Sequence, residues 1–413
     1  MRRIALDFWT RRPILLAMLV ALLVRLAIMT PGGGRFDDPD NYLPLARSIA
    51  EGEGLSRDGK PTAYRPPLYP IILAPLVGLS GDHWKIPVAI LHLALGAGTA
   101  GLASLAAARL GMPKTRVLAA GLIVAMDPVL AWQSRHVMTE TLAAFLIAAA
   151  LAELANQRRW GPLSSGGLLG LAALCRPSLL PSAGLVALAA VAAPPGCPRV
   201  RIQRGAWIAL AVALTLSPWA IRNNRVFDEP IWTTTHGGYT LALANNEVYY
   251  RDVLDGPPGA VWTGRDQWLW WDSVNRSTAG LGEPEADRRL RDSVLKLARA
   301  KPRQFARACL ARLESFWALA PAAVVYGRAV QALTLLWTAP LWVALAVGLS
   351  RPPARRWPLI AAPALILGLT AVHAFYWTDM RMRAPIVPAI ALVAASAGWG
   401  PRRDDGRPIE SGG

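Results

Sequence analysis

Two apolar runs, PILLAMLVALLVRLAIM (13–29) and LLWTAPLWVALAVGLS (335–350), constrain this chain more than any other feature. Such stretches suit the hydrocarbon core of a bilayer, which they cross as helices that satisfy their own backbone N–H and C=O groups. A hydropathy pass finds about ten spans, near 13–29, 86–108, 117–133, 137–154, 162–175, 177–193, 205–221, 326–349, 357–376 and 384–399. Composition agrees: of 413 residues 53% are hydrophobic and 17% charged, and the mean hydropathy is +0.30. Those values exclude an ordinary soluble domain and a disordered chain. The expectation is an all-α polytopic membrane protein of about ten transmembrane helices.

On this reading residues 1–221 form an N-terminal transmembrane region that includes a first outer loop, 30–85. Residues 222–325 form a second, small and mixed, extracytoplasmic region, 326–400 the last transmembrane helices, and 401–413 a disordered cytoplasmic tail. No small-residue cleavage site follows the first apolar run, so it is expected to stay as a first helix. Basic residues recur in alternate loops: Arg11 and Arg12; Arg109, Lys114 and Arg116; Arg158 and Arg159; Arg199, Arg201 and Arg204; Arg351, Arg355 and Arg356. Arg2, Arg3, Arg402, Arg403 and Arg407 extend the pattern to both ends. By the positive-inside rule these loops are cytoplasmic, with both termini inside a plasma (inner) membrane and the two polar loops outside it.

The net charge is +17, and all but five of the 44 basic residues are arginine. Arginine's planar donor fork suits phosphate, although base composition of the coding sequence produces the same bias. The charge is dispersed between spans rather than gathered in one domain, which argues for topology and lipid phosphate and against nucleic acid. The three cysteines make neither a disulfide framework nor a zinc spacing, and no Walker loop, GxGxxG, HExxH or GxSxG motif is present.

The outer loops hold the candidate chemistry. RFDDPDNY places Asp37, Asp38 and Asp40 just beyond the first span. One of these carboxylates can deprotonate a hydroxyl, or Asp38 with Pro39 can simply cap the helix that carries Tyr42. In AYRPPLY, Arg65 follows Tyr64 and precedes a stiff Pro-Pro pair, which fits either a phosphate clamp or a headgroup anchor. The apolar YPIILAPLVGL (69–79) is too short to span comfortably and is expected to lie in the interface or re-enter. Arg176 and Arg25 sit within apolar sequence, where an unpaired charge is expensive; Arg25 is near enough to the outer end to snorkel. His136 and Glu140 are four apart at an outer helix start, as a relay, a weak metal pair or a capping arrangement with Thr139. His236 lies beside two glycines, and Arg381 and Arg383 follow Asp379 in FYWTDMRMRAP. The stretch IWTTTHGGYTLALANN leans towards β structure, and EPEADRRLRDSVLKLARAKPRQFARACLARLESFW reads as two basic amphipathic helices broken at Pro302. Trp232, Trp262, Trp268, Trp270 and Trp271 can stack on sugar faces or anchor at the membrane surface.

Taken in order, the segments DDPDNYLPLARSIAEGEGLSRDGKPTAYRPPLYPIILAPLVGLSG, MDPVLAWQSRHVMTETL, LCRPSLLPSAGL, SPWAIRNNRVF, TTTHGGYTLALANN and MRMRAPIVPAIALVAA resemble the GT-C membrane glycosyltransferases. Specifically, they look like the family 39 group, which includes protein O-mannosyltransferases and the lipid A aminoarabinose transferase. The resemblance implies a GT-C helical bundle that transfers one sugar from a polyprenyl-phosphate donor to an extracytoplasmic hydroxyl. It assigns the catalytic base to Asp38, four residues before Tyr42, and a carrier-phosphate contact to Arg65. Where the family often has a second acid directly after that aspartate, this chain has Pro39, with acids at Asp37 and Asp40, so the choice among the three stays open. The same departure weakens a two-carboxylate metal site; no cofactor is expected, and a divalent cation stays open. Beside these, Arg176, Arg381 and Arg383 are candidate phosphate ligands, and Tyr42, Tyr64, His136, Glu140 and His236 candidate substrate contacts. Two other classes compete: a flippase for lipid-linked glycans, against which no inverted repeat is visible, and a non-catalytic envelope-assembly scaffold.

Overall fold

The apolar stretches become helices in a computed structural model that describes residues 8–29, 36–156, 158–257, 260–262 and 264–399. The tail at 401–413, and Arg2, Arg3, Arg402, Arg403 and Arg407, lie outside the described residues. In chain order the first half holds α1 (Phe8–Met29), α2 (Tyr42–Ala50), α3 (Leu68–Ser80), α4 (Lys85–Arg109), α5 (Lys114–Met126), α6 (Pro128–Gln133), α7 (Glu140–Ala155), α8 (Gly161–Cys175), α9 (Leu180–Ala192) and α10 (Pro198–Phe227). The outer region supplies α11 (Gly237–Leu243), α12 (Glu247–Tyr249), α13 (Arg265–Thr278), α14 (Glu283–Ala300) and α15 (Pro302–Phe316). The chain then returns through α16 (Arg328–Ser350), α17 (Ala361–Phe375) and α18 (Val387–Ala395). Among the described residues the strands are two short ones, β1 (Ser56–Arg57) and β2 (Lys60–Pro61), paired antiparallel around Asp58-Gly59.

Among the described residues five helical stretches are long and apolar enough to cross a membrane: Arg11–Met29, Lys85–Arg109, Pro198–Phe227, Arg328–Ser350 and Met380–Gly398. Gly161–Cys175, Pro177–Ala192 and Ala361–Phe375 are shorter apolar helices. The span expected over 117–133 is instead two helices, because Asp127 Oδ1 accepts from Leu130 N at 2.8 Å and starts α6 at Pro128. Leu15, Leu19 and Leu23 of α1, and Leu333, Leu336 and Val343 of α16, stay exposed, as side chains that meet lipid do.

In lipid, close backbone approach replaces hydrophobic collapse as the packing device. A Cβ at Gly166 would lie 2.6 Å from Ile208 O, so glycine is what lets α8 meet α10. Gly348 does the same for α16 against Val393 of α18, where a Cβ would sit 2.0 Å from the carbonyl oxygen. Arg25 does not snorkel. It is fully buried, and its Nη1 donates to Ala21 O at 3.2 Å and Ala125 O at 3.1 Å.

The outer region fastens the first loop in place. Glu283, at the start of α14, accepts from Thr62 Oγ1 at 2.5 Å, Ala63 N at 2.9 Å and Thr235 Oγ1 at 2.8 Å. Arg222 of α10 donates to Thr62 O and Leu55 O at 2.9 and 3.0 Å. The stretch read as β-leaning is helical from Gly237 onward; its threonines 233–235 form the extended lead-in. The amphipathic pair broken at Pro302 is α14 and α15.

Candidate active site

The site is built where the first loop, the outer region and the ends of α8 and α17 meet. Asp38 lies before α2, and its Oδ1 and Oδ2 accept from Tyr42 N at 2.8 Å and Leu43 N at 2.7 Å. These bonds satisfy two of the four N–H groups that a helix start leaves without partners. Pro39 falls in the turn before the helix rather than in its first turn, and Asn41 reaches α2 through a left-handed φ of 57°. Burial raises the Asp38 pKa, opposed by the two backbone N–H bonds and by Arg65. Each carboxylate oxygen keeps an acceptor position beyond its backbone bond.

Arg65 is held from two sides. Its Nη2 lies 3.1 Å from Asp40 Oδ1 and its Nη1 lies 3.3 Å from His236 Nε2, with the rings of Tyr42 and Tyr64 at 5.8 and 5.6 Å. A guanidinium can only donate. Nε2 of His236 therefore accepts, and the ring proton sits on Nδ1, which has no hydrogen-bond partner among the described residues. Burial, aided by the Arg65 charge, holds the His236 pKa well below its ordinary value, so the ring is neutral. Tyr239 stacks on it at 5.1 Å and Tyr64 meets it edge-on at 4.2 Å.

Two more arginines line the same cavity. Arg176, at the C-terminal end of α8, donates from Nη1 to Thr139 Oγ1 at 3.0 Å and pairs with Glu140 Oε1 at 3.0 Å; its Nη2 points at Met382 Sδ, 2.6 Å away. Arg381 directs Nη1 to Met138 Sδ at 3.1 Å, pairs through Nε with Asp379 Oδ2 at 3.3 Å, and lies over Trp377 at 5.5 Å. Thioether sulfur is a weak acceptor, so each guanidinium keeps a donor that an anionic oxygen would use far better. Asp40, Tyr42, Tyr64, Arg65, Arg176, His236 and Arg381 all line one cavity of about 1460 Å³. Among the described residues no group of three or more His, Cys, Asp or Glu is arranged to hold a metal ion.

Against solved structures, the chain matches the oligosaccharyltransferase AglB from Archaeoglobus fulgidus, in complex with an inhibitory peptide and a dolichol-phosphate. The TM-score is 0.54 at 15% identity, over 95% of this chain and 50% of that one. This chain shares its fold with that oligosaccharyltransferase. It spans about half the length of the oligosaccharyltransferase. ArnT from Cupriavidus metallidurans bound to undecaprenyl phosphate aligns over 93% of this chain and 77% of its own, at 14% identity and a TM-score of 0.40. No protein-family model matches the chain, and no curated protein matches it.

Within this fold, the residues singled out from sequence separate by position. Asp37, Asp38, His136, Glu140 and Arg383 do not line the cavity. Asp37 is exposed, and its carbonyl accepts from Val137 N at 2.9 Å. His136 belongs to the turn before α7, so it and Glu140 share no helical face; Thr139 spends its hydroxyl on Arg176 rather than on a cap. Glu140 is fully buried behind the cavity wall as the counterion of Arg176. Arg383 turns away from the cavity: its Nη1 donates to Phe316 O at 3.0 Å and Ala318 O at 2.7 Å, and its guanidinium lies over Trp342 at 4.8 Å. Sequence reading missed Tyr239, Met138 and Met382, which no motif marks, and Glu283, whose outward signal is only that of a helix-start acid.

Two stability predictions follow from the buried pairs. Glu140→Gln leaves the Arg176 charge without its partner, and breaking such a buried pair costs about 3–5 kcal/mol. A denaturant titration of the purified protein is expected to show that loss. Arg383→Ala removes a charged donor from two carbonyls at about 1.5–3 kcal/mol per bond. Its melting temperature is expected to fall, which differential scanning fluorimetry of the purified protein checks.

Proposed function

We propose that this protein is an inverting membrane glycosyltransferase that moves one sugar from a polyprenyl-phosphate carrier to a hydroxyl on the extracytoplasmic side. The observation that carries this reading is the convergence of Arg65, Arg176 and Arg381 on one cavity at the start of α2, where Asp38 and Asp40 lie. Three permanent cations with under-used donors describe a site for phosphate. The oligosaccharyltransferase of the same fold is known in complex with a dolichol-phosphate, which supports a lipid phosphate as the anion. The positive-inside pattern of the basic loops supports cytoplasmic termini and, with them, a cavity on the outer face of the membrane. About ten helices in all would cross or line the bilayer, with 222–325 folded over the site.

The chemistry follows from these residue types. The acceptor hydroxyl, with a pKa far above 7, gains nucleophilicity as Asp38 takes its proton during attack on the anomeric carbon. The bond to the phosphate oxygen breaks on the opposite face, which inverts that carbon. The departing phosphate is stable as an anion, so positive charge on its oxygens suffices and no second carboxylic acid is needed. Asp40 is the counterion that positions Arg65 until the phosphate arrives. Incubating the purified full chain with radiolabelled polyprenyl-phosphate sugars and membrane acceptors tests the reading. Labelled product supports it; carrier movement across vesicles without transfer, or no turnover at all, overturns it.

A further inference from the structure

The cavity does not end at the arginines. Its volume of about 1460 Å³ exceeds the roughly 300–1,000 Å³ of a typical small-molecule site, so a phosphate-linked sugar leaves part of it unfilled. Beside the arginines, Trp271, Asn275 and Thr278 line this cavity, as do Thr233, Thr234 and Arg57. The first three lie four and then three residues apart on α13, hence on one face of the helix. An aromatic stack ties this helix to the phosphate wall. Trp270 meets Tyr239 at 6.2 Å, Tyr239 stacks on His236 at 5.1 Å, and His236 contacts Arg65 at 3.3 Å.

We propose that this face of α13 binds the acceptor and that the acceptor is a saccharide, an assignment that rests on the glycosyl-transfer reading above. Trp271 is 42% exposed and held edge-on by Trp268 at 5.9 Å, so a rigid indole stands at the cavity edge. A sugar ring has an apolar C–H face and a rim of hydroxyls. The indole matches the first, while the exposed Asn275 amide, the Thr233 and Thr234 hydroxyls, and the Thr278 oxygen, whose own proton goes to Val274 O at 2.9 Å, match the second. Strand addition, one way to hold an extended peptide, has little to build on here, since β1 and β2 offer two residues each. A lipid acceptor would need an aliphatic groove, whereas this wall presents hydroxyls, an amide and a guanidinium.

The test uses the full chain in nanodiscs, with capture measured on a panel of mannose, galactose, glucose and arabinose oligomers, on Ser/Thr-containing peptides, and with undecaprenyl phosphate. The expected result is capture of at least one oligosaccharide series, weakened about tenfold or more by Trp271→Ala and largely restored in Trp271→Tyr, as for a buried aromatic anchor. Undecaprenyl phosphate binding is expected to be the same in all three proteins. Capture of peptides alone, capture of neither, or oligosaccharide capture indifferent to Trp271→Ala overturns the acceptor assignment. If the wild-type protein does not bind undecaprenyl phosphate, the transferase reading fails; if it binds the lipid without Trp271-dependent capture, only the acceptor assignment fails.

Discussion

Asp38→Asn is expected to lower sugar transfer by about 10²–10⁴-fold, the usual contribution of a general base, at saturating donor and with donor affinity nearly unchanged. The carboxamide is close in size to the carboxylate and can still accept one of the N–H bonds from Tyr42 and Leu43. It cannot accept both, so the start of α2 should lose about 1 kcal/mol, the typical value of a cap. Melting and size-exclusion profiles separate that small loss from the catalytic one. Asp40→Asn has a different signature, because Asp40 pairs with Arg65 at 3.1 Å. It is expected to raise the donor KM with a smaller effect on kcat. The reverse pattern, with turnover abolished in Asp40→Asn and kept in Asp38→Asn, would assign the base to Asp40, the acid that lines the cavity. The pH profile adds an independent check. A base works only when deprotonated, and burial raises the Asp38 pKa, so the rate should fall with acidification at a pH above that of an ordinary aspartate near 3.9. That acid limb should be absent from what activity Asp38→Asn retains.

How much of this was legible in the sequence depends on the range of the interactions. Apolar runs register directly as helices, and the stiffening of Arg65 by the following Pro66 and Pro67 is a local property, so both were readable. The break at Asp127-Pro128 was also present as a cap signal, but averaging hydropathy over 117–133 hides a boundary that depends on one hydrogen bond. The stretch around His236 misled because its β-branched threonines precede the helix rather than belong to it. Tertiary pairings carry no such signal. Arg176 meets Met382 across 206 positions, and Arg65 meets His236 across 171. Arg381 and Arg383, two residues apart and alike in sequence, diverge because they stand on a 3-10 helix, Met380–Ile386, whose three residues per turn point such positions about 120° apart. One reaches the cavity, and the other is taken up by the carbonyls of Phe316 and Ala318.

Arg65→Ala is expected to be the most damaging change on the donor side. The reaction leaves negative charge on the departing phosphate oxygens, and removing one fixed donor from such a site typically costs about 10²–10³ in rate. Arg65 is pre-positioned by Asp40, His236 and two tyrosine rings, so little reorganisation is needed when phosphate arrives. For the same reason Arg65→Lys should recover only part of the loss. An ammonium lacks the planar fork that reaches Asp40 and His236 at once, and its charge would sit in one place rather than bridge two oxygens. Product inhibition by undecaprenyl phosphate gives a readout that a general base would not move: Arg65→Ala should weaken it along with transfer, whereas Asp38→Asn should leave it intact. Wild-type inhibition in Arg65→Ala, together with its loss in Arg176→Ala or Arg381→Ala, would instead put the phosphate at those two arginines. It would also leave Arg65 as a partner of Asp40 and His236, with no part in holding the donor.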